Sequence, residues 1–551
     1  MRPAREALSP WAPSTGFGNK CSVVEMVAPF SPPGAEDKPL YNADMPRRLR
    51  QWLPVGVALL AFLARLIPGP RVIDDAYITF RYAQNLLAGY GLVYNPGVAV
   101  LGTTTPLYSL LLALAALPFG GTEANFPWLA LVLNAVCDAI ACWLLVQLGL
   151  RLGSPAAGYG TALVWAIAPM SVTFAIGGME TSLTILLVLA AFYLYLVSHP
   201  TGAALAGSLA LLARPDAALF VAPLALDHLL ASLSLLRQRR LDPGRLARQA
   251  TAFVLPLAIW TVGATLAYGS PITRSIGAKV DAYLLAPDAA LIRLLQHYAT
   301  PFLGHKTFGL WWIAVGLALF PILFGLGALF AIRRNPRSWP LFVSPWLYFA
   351  AFSLANPLIF RWYLAPPLPF YFLGILLGGH RVASDLRRPG SAWLLAAAAL
   401  ALTLRGWWLH PDHGPDRPAP DMAYIELELL YERVGAELAG EIGPGETLGA
   451  ADIGALGYTT GAVIIDTLGL VSPAAGAYYP ADRNLYAINY AIPPQLVSDL
   501  EPDHLVILEV YGRNGLLLDP SFVRSYQLVQ TIPTNIYGSR GMLIFQRKAT
   551  P

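Results

Sequence analysis

Long apolar runs constrain this chain more than any other feature. A helix crosses the hydrocarbon of a bilayer with about 20 mainly apolar residues, and its backbone must satisfy its own hydrogen bonds there. Runs of that kind occupy residues 53–67, 126–149, 157–176, 182–197, 203–213, 217–236, 252–268, 310–332, 341–355, 363–378 and 393–408, eleven in all. With 56% hydrophobic and 13% charged residues, the composition excludes a soluble globular protein. The run 106–117 is too short to cross upright and reads as an interfacial segment.

Loop charges orient the eleven spans. The basic segments are "PRRLR" before the first span, Arg151, "RQRRLDPGRLAR" at 237–248, "RRNPR" at 333–337 and "HRVASDLRR" at 380–388. With 106–117 left on the surface, all of them fall on one side, which the positive-inside rule makes cytoplasmic. The opposite, outer side then receives the loop after the first span, the turn "GGMET", the motif "ARPD", the loop 269–306, Arg361 and the C-terminal region. The net charge of +4 is small for 551 residues and gives no reason to expect a nucleic-acid partner.

Three domains are expected. Residues 1–45 are rich in Pro, Ala, Ser and Gly and read as a disordered leader, with "MPRRLRQW" from Met45 resembling a membrane-protein start. Residues 46–409 form the polytopic α-helical domain. Residues 410–551 form an extracytoplasmic α/β domain, because "ETLGAAD", "AVIID" and "HLVILEV" read as short buried strands and "YIELELLYERVGAELAG" as an amphipathic helix. Cys137 and Cys142 lie in an apolar run as small core side chains, and with Cys21 they imply neither a disulfide framework nor a metal site.

Chemistry is concentrated in the outer loops. Asp74 and Asp75 follow the first span in "RVIDDAYITFRYAQNLLAGYGLVYNP", and a carboxylate pair at the edge of hydrocarbon calls for water, a cation or a chemical task. Past Asp75 the chain is amphipathic, with Arg81, Gln84, Asn85 and Ala88 on one face and Ala76, Phe80, Ala83 and Leu87 on another. This predicts a helix lying on the outer membrane surface. A structural reading competes, since either acid alone serves as a helix cap. One cap needs one carboxylate.

The stretch "DDAYITFRYAQNLLAGYGLVYNPG" resembles the first outer loop of GT-C superfamily glycosyltransferases, most closely the arabinofuranosyltransferase-like group. More distantly it is similar to protein mannosyltransferases, the lipid A aminoarabinose transferase and oligosaccharyltransferase catalytic subunits. "GTTTPLYSLLLAL", "GGMETSLTILL", "LLARPDAALF", "YGSPITRSIGAK" and "ADIGALGYTTGAVIIDTLGLVSP" follow in the family's order. The resemblance implies an inverting transferase that moves a sugar from a polyprenyl-phosphate donor to a glycan, lipid or protein hydroxyl on the outer face of the cytoplasmic membrane. Departures such as "VAVLGTTTP" and "SPITRS" leave the sugar and acceptor open.

By that resemblance Asp74 is the general base, and Asp75 orients the acceptor or helps bind a divalent cation, the one cofactor candidate. Glu180 is a second acid facing the first and a second candidate metal ligand; its structural alternative is an acid at a helix start. Arg274, Lys279, Lys306 and Arg361 are candidates for the lipid phosphate, with Arg81 and Tyr363 also in the substrate-binding set. For each cation alone the competing role is contact with lipid headgroups. Arg214 and Asp216 of "ARPD" read as an ion pair closing a helix, and Asp452 as the cap of a strand-to-helix turn. His297 and His305 lack a third ligand. The rival function is a transporter or lipid flippase, to which Asp138 and Asp227, buried in apolar runs, lend their weight.

Overall fold

The protein is described by a computed structural model covering residues 47–240, 242–302, 309–409 and 423–549. The expected leader 1–45 and two site candidates, His305 and Lys306, lie outside the described residues.

All eleven apolar runs are helical. In chain order the helices are α1 (Arg47–Leu66), α2 (Asp74–Leu87), α3 (Pro106–Ala116), α4 (Phe126–Arg151), α5 (Pro155–Ile167), α6 (Pro169–Ile176), α7 (Thr181–Leu196), α8 (Pro200–Ala213), α9 (Ala218–Arg237) and α10 (Pro243–Tyr268). They continue with α11 (Arg274–Ala282), α12 (Ala289–Ala299), α13 (Trp311–Arg334), α14 (Trp339–Ala355), α15 (Leu368–Asp385) and α16 (Ser391–Leu409). By length and apolar composition, four of the described helices, α4, α9, α10 and α13, are able to cross a membrane. The number is five if α5 and α6, bent by 50° at their junction, count as one span. The run 106–117 becomes α3, which buries Tyr108, Ser109, Leu112 and Ala113 and leaves Leu110 and Leu114 exposed.

A polar hub ties the first helices together. Pro169 lacks the N–H that would bond the Trp165 carbonyl, so the chain breaks between α5 and α6 and frees carbonyls in an apolar interior. Arg65, fully buried at the end of α1, donates to the Trp165 carbonyl at 3.3 Å, to that of Ala166, and to Ser171 Oγ at 2.5 Å. Its Nε meets Asp138 Oδ2 at 2.9 Å, and Asp138 also accepts from Trp165 Nε1 (3.2 Å) and Ser182 Oγ (2.9 Å). Asp138 thus neutralises a buried guanidinium. Asp227 accepts from Tyr195 Oη at 2.5 Å and Trp339 Nε1 at 2.7 Å. Both mid-run acids are structural, which takes away the observation that favoured a transporter.

Elsewhere the helices approach through glycine. A Cβ on Gly378 of α15 would fall 1.8 Å from the Leu323 carbonyl oxygen of α13, so only glycine permits this crossing. The turn after Arg151 packs against the end of α13, where a Cβ on Gly153 would lie 2.7 Å from Arg334 Nε. Two of the basic segments therefore share one end of the helical domain.

The C-terminal part is a small sheet domain. Helix α17 (Ala423–Leu438) precedes β1 (Thr447–Ala450), α18 (Gly454–Thr460), β2 (Val463–Asp466), β3 (His504–Leu508), β4 (Tyr526–Ile532) and β5 (Met542–Arg547). The order is β2-β1-β3-β5-β4, parallel among β2, β1 and β3 and antiparallel from β3 to β4. All five residues of β3 are buried, which explains its unbroken apolar sequence.

Removing the guanidinium of Arg65 leaves Asp138 charged and unpaired in an apolar interior. Arg65→Met should lower stability by about 3–5 kcal/mol, read as a drop in the thermal midpoint of detergent-solubilised protein. Arg65→Met with Asp138→Leu should recover much of the loss. An unchanged midpoint in the single variant would remove the hub from the account of stability.

Candidate active site

The chain enters α2 by pairing with the turn between α6 and α7. The N–H groups of Arg71 and Ile73 donate to the carbonyls of Ile176 and Gly177, both at 2.9 Å. This brings Asp75, in the first turn of α2, near Glu180 at the start of α7. Residues Ala76 to Ala83 are all buried, and Phe80 stacks on Phe126 with ring centroids 6.2 Å apart. Helix α2 therefore does not lie open on the membrane surface, as its amphipathic pattern predicts. On its polar face Arg81 bonds the C-terminal domain, while Gln84 and Asn85 bond carbonyls of Thr122, Val93 and Tyr94 between α2 and α4.

The contact with the C-terminal domain is specific. Asp74 points at the start of α18, its carboxylate accepting the N–H groups of Gly454 (2.9 Å) and Ala455 (2.8 Å). In return the Asp74 N–H donates to Glu428 Oε1 of α17 at 2.7 Å. Tyr77 Oη donates to Glu432, and Tyr94 Oη to the Ile453 carbonyl at 2.6 Å. A Cβ on Gly454 would fall 1.8 Å from the Asp74 carbonyl oxygen, so "DIGALG" is shaped to meet α2. Asp452 does not cap α18 as expected; it accepts from Tyr431 Oη (2.9 Å) and Tyr511 Oη (3.4 Å).

Asp74, expected as the general base, thus places both its oxygens on α18 and is not among the residues that line the cavity described below. Two of the expected phosphate or substrate ligands are likewise docking residues. Arg81, 4% exposed, donates to the carbonyls of Tyr94 (2.8 Å), Gly457 and Ala462 (2.6 Å). Arg274 donates to the carbonyls of Gly469 (3.3 Å) and Pro473 (2.8 Å). Arg361, on the turn Arg361–Leu364, is not among the residues that line the cavity described next.

A cavity of about 510 Å³ lies where α2, α11 and the starts and ends of several helical-domain helices converge. Asp75, Glu180, Lys279 and Tyr363 of the candidate set all line it. Lys279 Nζ stands 3.3 Å from Asp75 Oδ2 and 4.7 Å from the centre of the Phe360 ring. Burial alone would discharge Lys279, but the charge of Asp75 outweighs it and holds the ammonium above its ordinary range. Its lining includes hydroxyl-bearing residues, Thr79, Thr103, Thr104, Thr105 and Ser275. It also includes apolar residues, Ile276, Val280, Leu284, Phe352 and Leu358.

Arg214 and Asp216 also line the cavity, a role the sequence reading did not give them. The ion pair itself is present: Arg214 Nε and Nη2 fork onto Asp216 at 2.9 and 2.7 Å. Its remaining Nη1 reaches Glu180 Oε1 at 3.1 Å, and its guanidinium lies 5.0 Å from the centre of the Tyr363 ring. Glu180 stands at the N-cap position of α7, where the helix-start reading puts it, but its side chain makes no capping hydrogen bond. Burial raises the Glu180 carboxyl, with Arg214 pulling it back. The signal in the sequence was an arginine placed directly after an apolar run, where a cation needs an acid from another helix.

The two candidate metal ligands do not fit a divalent ion. Asp75 is already paired with Lys279 and Glu180 with Arg214, and among the described residues no three His, Cys, Asp or Glu side chains converge. His297 instead bonds the Leu364 carbonyl at 2.9 Å.

Residues 422–545 match a family model described as a domain of unknown function, DUF8728. No curated protein matches the chain. Among solved structures, the chain is similar to ArnT from Cupriavidus metallidurans bound to undecaprenyl phosphate. That pair is 14% identical, with a TM-score of 0.54 over 92% of this chain and 99% of that one. The apo form of the same protein gives a TM-score of 0.52 at 13% identity, over 92% and 100%. The arabinofuranosyltransferase AftD from Mycobacteria is 16% identical, over 92% of this chain and 40% of that one, with a TM-score of 0.49. Over nearly its whole length the chain therefore shares the fold of ArnT.

Proposed function

We propose that the chain is an inverting glycosyltransferase that moves a sugar from a polyprenyl-phosphate donor to an acceptor hydroxyl, with the cavity at Asp75 as its active site. The observation that carries this reading is the Asp75–Lys279 pair, in a cavity whose lining holds both hydroxyl-bearing and apolar side chains. Sugar hydroxyls suit the hydroxyl-bearing part of that lining and the start of a polyprenyl chain the apolar part. ArnT, whose fold this chain shares, is described bound to undecaprenyl phosphate, which supports a donor of that class.

The reaction needs a proton acceptor and a partner for the leaving phosphate. The acceptor oxygen bonds to the anomeric carbon, the bond from that carbon to the phosphate oxygen breaks, and the acceptor's proton passes to Asp75. As Asp75 loses its charge, Lys279 loses its counter-ion at the moment the leaving phosphate gains one. The ammonium changes partners without changing place. Arg214, fixed in direction by Asp216, offers a second positive group, and Glu180 holds its third nitrogen. A membrane location with the cavity and C-terminal domain on the outer face follows from the one-sided basic loops. A lipid-linked donor suits a face without a nucleotide-sugar supply.

Asp75→Asn should lower turnover by about 10²- to 10⁴-fold while the protein stays folded. Turnover is read as release of polyprenyl phosphate from purified protein given a panel of polyprenyl-phosphate sugars and acceptors. Undiminished transfer would remove Asp75 from the chemistry. Lys279→Met should also reduce the rate by more than tenfold, because the change of partners then has no cation. A variant at Lys279 that keeps wild-type turnover would refute that coupling.

A further inference from the structure

We propose that the C-terminal domain completes the catalytic centre of the helical domain, with Glu428 as a positioning residue that fixes the first turn of α2 and so the direction of Asp75. This rests on the reading of Asp75 as the proton acceptor.

The argument begins with the orphan groups at a helix start. The first N–H groups of any helix lack partners within it, and Ile73, at the N-cap position of α2, provides no side-chain cap. The Asp74 N–H is instead taken by Glu428, from a helix 354 positions away in sequence. Glu428 is 4% exposed, and its second oxygen has no hydrogen-bond partner among the described residues. Burying a carboxyl with one oxygen unused is costly, so its placement is not explained by solvation or packing. What it does is hold the residue next to Asp75.

The same logic extends along α2. Residues 74, 77 and 81 stand at i, i+3 and i+7, on one helix face. Each is bound by the C-terminal domain: Asp74 by Gly454, Ala455 and Glu428, Tyr77 by Glu432, and Arg81 by the carbonyls of Gly457 and Ala462. Residues 75 and 79, at i and i+4, lie on the neighbouring face, with Ile78 between the two faces, and all three line the cavity. Rotation of α2 about its axis is thus set by the domain behind it, and rotation decides whether Asp75 faces Lys279. A misplacement of about 1 Å in a reacting group costs on the order of 10²-fold in rate.

The test uses full-length protein, with the donor that turns over in the panel above. Glu428→Ala should lower kcat by about 10- to 100-fold and leave KM for the donor within about twofold, because the phosphate-facing cations are untouched. Glu428→Gln, whose amide oxygen accepts the same N–H, should restore kcat. Hydrogen exchange, which needs no donor, should show faster exchange at residues 74–81 in Glu428→Ala and unchanged protection of β3. Wild-type kcat in Glu428→Ala, or failure of the glutamine to rescue while α2 stays protected, overturns the proposal. If β3 also loses protection, the decision passes to Gly454→Ala, which presses on Asp74 from the other side; wild-type kcat there is equally fatal. Should Asp75→Asn itself remain active, the reading of the site fails, while the exchange result still reports on docking.

Discussion

Two helices that exchange carboxylates hold this molecule together. Asp74, at the start of α2, accepts the first two N–H groups of α18, and Glu428 accepts the first N–H of α2. Neither N-terminus is capped by a side chain at its own N-cap position, where Ile73 and Ile453 stand. Each would bury unsatisfied donors if the two parts of the chain separated only slightly. The interaction is directional, and it fixes register as well as proximity.

Behind α2 the helical domain supplies a second fixed reference. Asp138 binds Arg65 on one side and Ser182 on the other, and Asn134 donates to the carbonyls of Ala175 (3.0 Å) and Met179 (2.9 Å). Glu180 therefore sits on a turn held two residues away by the Arg65–Asp138 hub. The segment 71–73 bonds that same turn. The cavity is thus framed by two anchored pieces: the turn with Glu180, tied to a buried ion pair, and the helix with Asp75, tied to the C-terminal domain.

How legible this was follows from the physics of each part. Apolar runs announced every helix from α1 to α16 except the short ones of the loops, because hydrophobic length is a local property. The three strands read from "ETLGAAD", "AVIID" and "HLVILEV" are present as β1, β2 and β3. Four cavity residues, Asp75, Glu180, Lys279 and Tyr363, were in the candidate set. Which of two adjacent acids faces the cavity is a rotation of about 100° around α2, and that depends on Glu428 and Gly454, far away in sequence. Arg81 and Arg274 looked free because the carbonyls they bind belong to backbone, which carries no residue signature. Arg214 looked local because Asp216 is only two positions on, while its third partner, Glu180, comes from another helix.

The placement of charge around Asp75 shows why the domain interface and the chemistry are joined. The half-buried Asp75 and Lys279 serve as each other's counter-ion only while the pair is kept close. On proton transfer the carboxylate becomes neutral, and a second anion must take its place within the reach of Lys279. If α2 were free to turn, Asp75 could relax toward water in the ground state and leave Lys279 without its partner. The ammonium would then be poorly prepared, since burial alone disfavours its charge. Holding α2 from behind leaves Asp75 facing the cavity, as the proposed reaction requires of its proton acceptor, while Asp74 binds the start of α18.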